Sequence, residues 1–360
     1  MCAGSNTFRF SGWLIKRAAI SVLVFGLLCS AALAQTYTRK ILVSDIPAAG
    51  TFTDTNLVNA WGLAAGPTTP WWVADNGTGL STLYDKDGNA QQLIVTIPSA
   101  SGSGSGTPTG TVFNGTQDFQ LAMGMPAFFL FATEDGTISG WNPKVDPTNA
   151  VIKVNSSSDN AVFKGLTLAS ADGKNFLYAA NFGAGTIDVF DTNFQPHSFS
   201  SKAFTDGSIP QGYAPFNVQN VAGFLVVTYA KQDADHKDDV PGKGHGFVRV
   251  FDSEGHLLAR LQHVAALDSP WGIALAPKEF GKFSRHLLIG QFGSGAIAAY
   301  NLRGKFAGVL RDDSGLPLRI DGLWAIAFGN GSAAGPTNVL YFTAGPFDEA
   351  HGFFGTIQAK

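Results

Sequence analysis

From about residue 59 to the C-terminus one phrase returns roughly every fifty residues, six times in all. Each copy opens with a short apolar run beside an aromatic residue or glycine. A strand-like segment ending in small residues follows, then a glycine-containing turn, then a strand that closes on an aromatic residue and Asp or Asn. A strand-rich repeat of this period cannot bury its apolar faces alone. It does so by stacking against its neighbours around an axis, which is the sequence signature of a β-propeller.

The copies are regular enough to be read strand by strand. Inner strands fall at 60–64, 112–114, 164–168, 215–218, 271–275 and 323–327, with Trp61, Phe113, Lys164, Phe216, Trp271 and Trp324 as equivalents. The units begin near residues 59, 111, 162, 213, 269 and 321. Second strands follow at 70–74, 128–133, 175–180, 223–229, 286–290 and 338–343. Third strands end at Tyr84-Asp85, Trp141-Asn142, Phe190-Asp191, Phe251-Asp252 and Tyr300-Asn301. The Asp or Asn there is expected to start a turn by accepting bonds from the backbone N–H groups just after it, a structural role. Outer strands are expected at 91–97, 150–154, 198–203, 257–261 and 306–310. The sixth unit lacks one, and 38–43 is a strand-like segment with no unit of its own. The economical fold is therefore all-β: six blades of four antiparallel strands, the ring closed by 38–43 pairing into the last blade.

Residues 1–34 do not fit the repeat. Arg9, Lys16 and Arg17 precede or border an apolar stretch at 18–28 that is short for a membrane span, and Ala32-Leu33-Ala34 offers small residues for cleavage before Gln35. This segment reads as a signal peptide and 35–360 as a single propeller domain. Cys29 would suggest lipidation, but Leu28 stands where a small residue is needed. The chain is thus expected to be exported, periplasmic or extracellular, without a stable membrane anchor after cleavage. Its two cysteines, Cys2 and Cys29, both lie in that leader, so disulfides and thiolate chemistry are excluded from the domain. The whole chain has 24 Lys and Arg against 27 Asp and Glu, and loss of a leader with three basic residues and no acid makes the remainder more acidic still. No basic stripe suits a nucleic acid. A monomer is expected.

The runs 42–47, 56–64 and 72–79, continued by Val227-Thr228-Tyr229-Ala230-Lys231-Gln232-Asp233 and Asp348-Glu349-Ala350-His351-Gly352, resemble an exported bacterial family of functionally uncharacterised six-bladed propellers. The likeness covers essentially the whole of 35–360. It implies kinship with NHL-repeat and gluconolactonase-like propellers and no agreed activity. Some members carry a C-terminal sorting anchor; the last residues here, ending at Lys360, have none, which implies a soluble product.

In such a blade the loops after the second strand and those entering the next inner strand share one rim of the channel, the default binding face. Asp75, Asn76, Glu134, Asn181, Lys231, His245, Gln291 and Asp348 are the polar residues placed there. The fourth unit carries a long insertion in which Asp233, Asp235 and His236 could meet a hard cation such as Ca²⁺ or Mg²⁺ through oxygen ligands, although the spacing matches no EF-hand. A solvated lid is the alternative. In the sixth unit Glu349 and His351 stand two apart, so in an extended segment they would face the same way as base and acid. The spacing is similar to the Glu-x-His pair of streptogramin lyases. A gluconolactonase-like site would put a metal near Asn59, Asn217 and Asp321, but Asn59 stands where that site has Glu. Phe182, Phe292, Phe347 and Phe353 could instead form an aromatic rim for a protein partner. The leading expectation is a module binding a small-molecule or protein ligand at this rim, and the alternative a metal-dependent lactonase-type hydrolase or lyase.

Overall fold

The computed structural model describes residues 35–360; the leader expected at 1–34 lies outside the described residues. Six sheets carry the chain, and in five of them the strands run antiparallel in sequence order from the axis outward. The inner strands are Ala60–Ala64, Pro108–Phe113, Phe163–Ala171, Tyr213–Val221, Pro270–Leu275 and Leu323–Phe328. Each contacts the next, and the last contacts the first, which closes the ring.

Closure comes from the N-terminal strand. Tyr37–Ser44 pairs antiparallel with Phe353–Ala359, from Tyr37 opposite Ala359 to Ser44 opposite Phe353, and so completes the sixth blade. Leu42 and Val43 pack there with Trp71, Tyr84, Tyr341 and Phe354, joining the two ends of the chain to the first blade. A short fifth strand, Phe52–Thr53, runs parallel along the outer edge of that sheet. An added hairpin, Gln120–Ala122 with Met125–Pro126, interrupts the second blade.

The turn residues behave as the repeat demands. Asp85, Asp191, Asp252 and Asn301 each accept backbone N–H bonds from the residues two and four positions on, and Asn142 accepts one from Lys144. Their carboxylates and amides are thereby committed to the turns.

Two readings of the sequence need correction. The third blade's outer strand is Pro196–His197 rather than 198–203, and the first blade's shrinks to Val95–Thr96. More consequential is the second blade, where the inner strand begins at Pro108, inside the Gly/Ser-rich stretch 99–110, and ends at Phe113. The true partner of Trp61 is therefore Thr109. An added Cβ on Gly62 would sit 2.2 Å from the Thr109 carbonyl oxygen, so the two inner strands meet at that point. Phe113 lies at the far end of its strand, against Phe129. Its aromatic character mimicked the repeat, while the real position holds a threonine whose hydroxyl donates to the Phe163 carbonyl at 2.7 Å.

Candidate functional site at the channel mouth

Every inner strand is irregular near its start: the pairing with the second strand slips in each of the six blades. Bulges of this kind re-aim a side chain and are common beside functional sites. Here the slipped positions include Trp61, Thr109, Lys164, Phe216, Trp271 and Trp324. Trp61, Phe216, Trp271 and Trp324 come from four different blades and meet in one buried cluster, which is possible only across the axis. Trp61 stacks on Trp324 with centroids 3.5 Å apart, Phe292 covers Trp324 at 3.9 Å, and Trp271 meets Trp324 edge-on at 6.0 Å. The channel is thus plugged by a buried stack of aromatic rings, which supplies an apolar floor.

A chain of polar groups lies on that floor, drawn from five of the blades. The Trp324 indole N–H donates to Asn59 Oδ1 at 2.9 Å. An indole has no acceptor, so this bond fixes the orientation of the Asn59 amide. Asn59 Nδ2 then donates to Asn76 Oδ1 at 3.2 Å and to the carboxyl of Glu349. Asn76 Nδ2 donates to Glu134 Oε2 at 2.9 Å. Lys164 Nζ donates to Glu134 Oε1 at 2.5 Å and to Asp238 Oδ1 at 3.0 Å, and sits 5.0 Å from the centroid of the Trp61 ring.

Burial sets the charges. Burial alone would lower the Lys164 pKa, but the charges of Glu134 and Asp238 outweigh it and hold the ammonium above its ordinary value. Glu349 has no such partner. Burial, reinforced by the negative charge of Glu134, pushes its carboxyl up to about 7, with Lys164 and the Asn59 amide opposing. Burial also pushes Asp239 up to about 6, against the pull of Ser269 and Lys164. The mouth therefore holds one fixed positive charge among four carboxyl groups, two of which titrate near neutrality.

The residues singled out from the sequence divide into those in this network and those committed elsewhere. Asn59, Asn76, Glu134 and Glu349 are in it. Asp75 is fully buried, accepts the Thr82 backbone N–H at 3.0 Å, and is held well above the usual carboxylate range by burial. Asn181 accepts from the backbone of Val162 and Ala184 and donates to Asp188. Gln291 joins the backbone of Asp268 to that of Ile289, and His245 Nδ1 lies 2.9 Å from the Val240 carbonyl. These side chains pin the loops of the mouth and have little left to offer a ligand. Lys231 ends the second strand of blade four half-exposed, and Asp348 is exposed.

The proposed pairing of Glu349 with His351 does not survive the backbone. Phe347, Asp348 and Glu349 have φ of 58°, 53° and 64°, a left-handed turn rather than an extended run. Glu349 bonds Asn59, whereas His351 Nδ1 lies 2.7 Å from Asp45 Oδ2, on the N-terminal segment. The expected metal ligands also separate. Asn217 donates to the Trp271 carbonyl, Asp321 accepts the Phe347 backbone N–H, and Asp233 accepts that of Lys237 at the tip of the insertion beside exposed Asp235 and His236. Among the described residues no three His, Cys, Asp or Glu converge as a metal site. At the mouth itself the Lys164 ammonium already takes up Glu134 and Asp238, so a Ca²⁺ or Mg²⁺ ion does not fit between them. The four phenylalanines do not form one rim: Phe182 is fully buried and Phe292 lies on the plug, whereas Phe347 is exposed and Phe353 half-buried.

Lys164 is not among the residues expected at the site, and Asp238 and Asp239 enter the sequence reading only as carboxylates of the fourth unit's rim insertion. The signal for Lys164 was visible: a lysine at a repeat position otherwise held mainly by aromatics. No such periodicity marks Asp238 and Asp239, because the insertion belongs to the fourth blade alone. It folds as an extension of the hairpin, with Gln232 opposite Asp239 and the Asp233 N–H on the Asp238 carbonyl. That register, rather than sequence spacing, delivers Asp238 to Lys164.

Fold and mouth together define a six-bladed β-propeller whose channel is closed by aromatic rings beneath a lysine–carboxylate–amide network. The chain is 32% identical over 332 residues to the uncharacterized protein R648 of Acanthamoeba polyphaga mimivirus, spanning 89% of this chain and 80% of that one, and it belongs to the same family. These relatives are viral, so the bacterial origin implied by the resemblance finds no support in them. No family profile matches the chain. Among solved structures it is similar to a streptogramin B lyase, with a TM-score of 0.54 at 8% identity over 92% of this chain and all of that one. It is also similar to a Bacteroides thetaiotaomicron protein of unknown function, with a TM-score of 0.57 at 11% identity over 91% of this chain and 76% of that one. At such identities the likeness carries the fold alone.

Proposed function

We propose that the protein binds a small, polar, uncharged or cationic molecule at the channel mouth, and that Glu349 exchanges a proton with it. The observation that carries this reading is the unbroken run of hydrogen bonds from Trp324 through Asn59, Asn76 and Glu134 to Lys164. Fixed amides and carboxylates above the aromatic plug suit hydroxyl- or amine-bearing ligands, and the excess of carboxyl groups disfavours anions. A second reading, an acid–base enzyme such as a lyase or hydrolase, is favoured by one feature. A carboxyl at about 7 can both give and take a proton at neutral pH. That reading routes no step through a metal. Export after removal of residues 1–34 belongs to the same proposal, and a mature N-terminus at Gln35, read by mass spectrometry, would support it.

The test is a thermal-shift screen of purified protein against monosaccharides, sugar lactones and primary amines. A ligand at a hundredfold excess over its Kd should stabilise the fold by about 2.7 kcal/mol. The shift should vanish in Asn59→Ala and Glu349→Gln. A shift that persists in both variants, or none from any of the three classes, would overturn the proposal.

A further inference from the structure

The inner strands all run from the mouth described above toward the opposite face, and that face has its own cavity of about 300 Å³. All six inner strands contribute to it. Leu63, Leu166, Gln219, Ile273, Leu275 and Phe328 line it, and Trp271 forms part of its wall, so the aromatic plug separates the two ends of the channel.

Its chemistry is the reverse of the first mouth's. No Asp, Glu, Lys, Arg or His lines it. Its buried and half-buried polar side chains are already engaged: Asn217 donates to the Trp271 carbonyl, Asn220 donates to Leu168 and accepts from Gly223, and Thr111 donates to Leu130, while the Gln219 amide stands exposed at the rim. A hydrogen-bonding solute gains little where partners are spent, and a charged one meets no countercharge. An apolar solute gains from burial against Leu275, 39% exposed without one, and from contact with the indole.

We propose that this opposite end is a second site, for an uncharged, mainly apolar small molecule on the scale of two or three aromatic rings. The volume lies at the lower end of the range for ligand pockets, which excludes larger guests. The inference stands apart from the function proposed for the polar mouth.

The neutral fluorophore N-phenyl-1-naphthylamine tests it. The probe should brighten on saturable binding at one site per chain and quench tryptophan emission by energy transfer from the Trp271 wall. Gln219→Trp fills the cavity from an exposed position, and Leu275→Asp puts a charge at its edge. Each should keep the wild-type melting temperature and weaken binding at least tenfold, while Glu349→Gln should leave it within twofold. Non-saturable binding, undiminished affinity in both folded cavity variants, or equal loss in Glu349→Gln would each overturn the proposal.

Discussion

Lys164 and Glu349 mark the two electrostatic extremes of the mouth, and the first acts on the second. Lys164 is 2% exposed and survives as an ammonium because Glu134 and Asp238 face it. Its field in turn lowers the Glu349 pKa, against burial and Glu134. Replacing Lys164 by methionine keeps the volume but removes that field. The Glu349 titration, followed as the carboxyl NMR signal lost in Glu349→Gln, should then move upward from about 7. A downward or absent movement would mean that the two groups are not coupled as their geometry requires. At this scale the sequence was half legible. Asn59, Asn76, Glu134 and Glu349 could be picked out because they occupy repeat positions at loop entries. Asp75, Asn181 and Gln291 occupy similar positions and look equally functional, but only their bonds to local backbone reveal them as loop anchors.

At the scale of strands, the seam where Tyr37–Ser44 closes the last blade is where His351 acts. Its ring meets Asp45, whose other oxygen accepts the Gly352 N–H at 2.9 Å, and its carbonyl accepts the Asn59 N–H at 3.0 Å. His351 thus couples the closing strand to the first residue of the mouth without reaching the channel. Asp45→Ala leaves the partly buried imidazole and an N–H without a partner and should cost about 1–3 kcal/mol. Denaturant unfolding should register that loss. Removing residues 35–44 should cost far more, abolishing the cooperative transition, because an inner hairpin edge of the last blade would be laid bare. The closing strand was readable from the sequence by subtraction, since five outer strands and one orphan segment leave a single solution. The register of the second blade was not, because Phe113 imitates an aromatic position that Thr109 in fact occupies.

Across the whole molecule the buried acids set an acidic stability optimum. Glu349 and Asp239 have native pKa values of about 7 and about 6, above their ordinary 4.5 and 3.8, and Asp75 is raised by burial as well. A carboxyl raised on folding holds its proton longer in the native state than in the unfolded one, so stability falls as pH climbs from the unfolded value to the native one. Between about pH 4 and 7 each such group removes at most about 1.4 kcal/mol per pH unit, less for Glu349 because solvent reaches it. The opposite sign holds for Asp206, which bonds to Arg260 and Arg249 keep well below the usual carboxylate range, and for the turn residue Asp85. Those contributions are present above about pH 4 and are lost as pH falls through the lowered values. The two trends cross between about pH 4 and 5, lower than the maximum of most proteins, which lies between about 5 and 8. A melting curve measured from pH 3 to 8 should therefore peak in that acid window and decline toward neutrality. In Glu349→Gln the decline should be shallower, with its largest gain over wild type at pH 8. A plateau from pH 5 to 8 in the wild type would mean that these carboxyls are hydrated in solution and that the mouth lacks the proton-exchanging group on which its proposed chemistry depends.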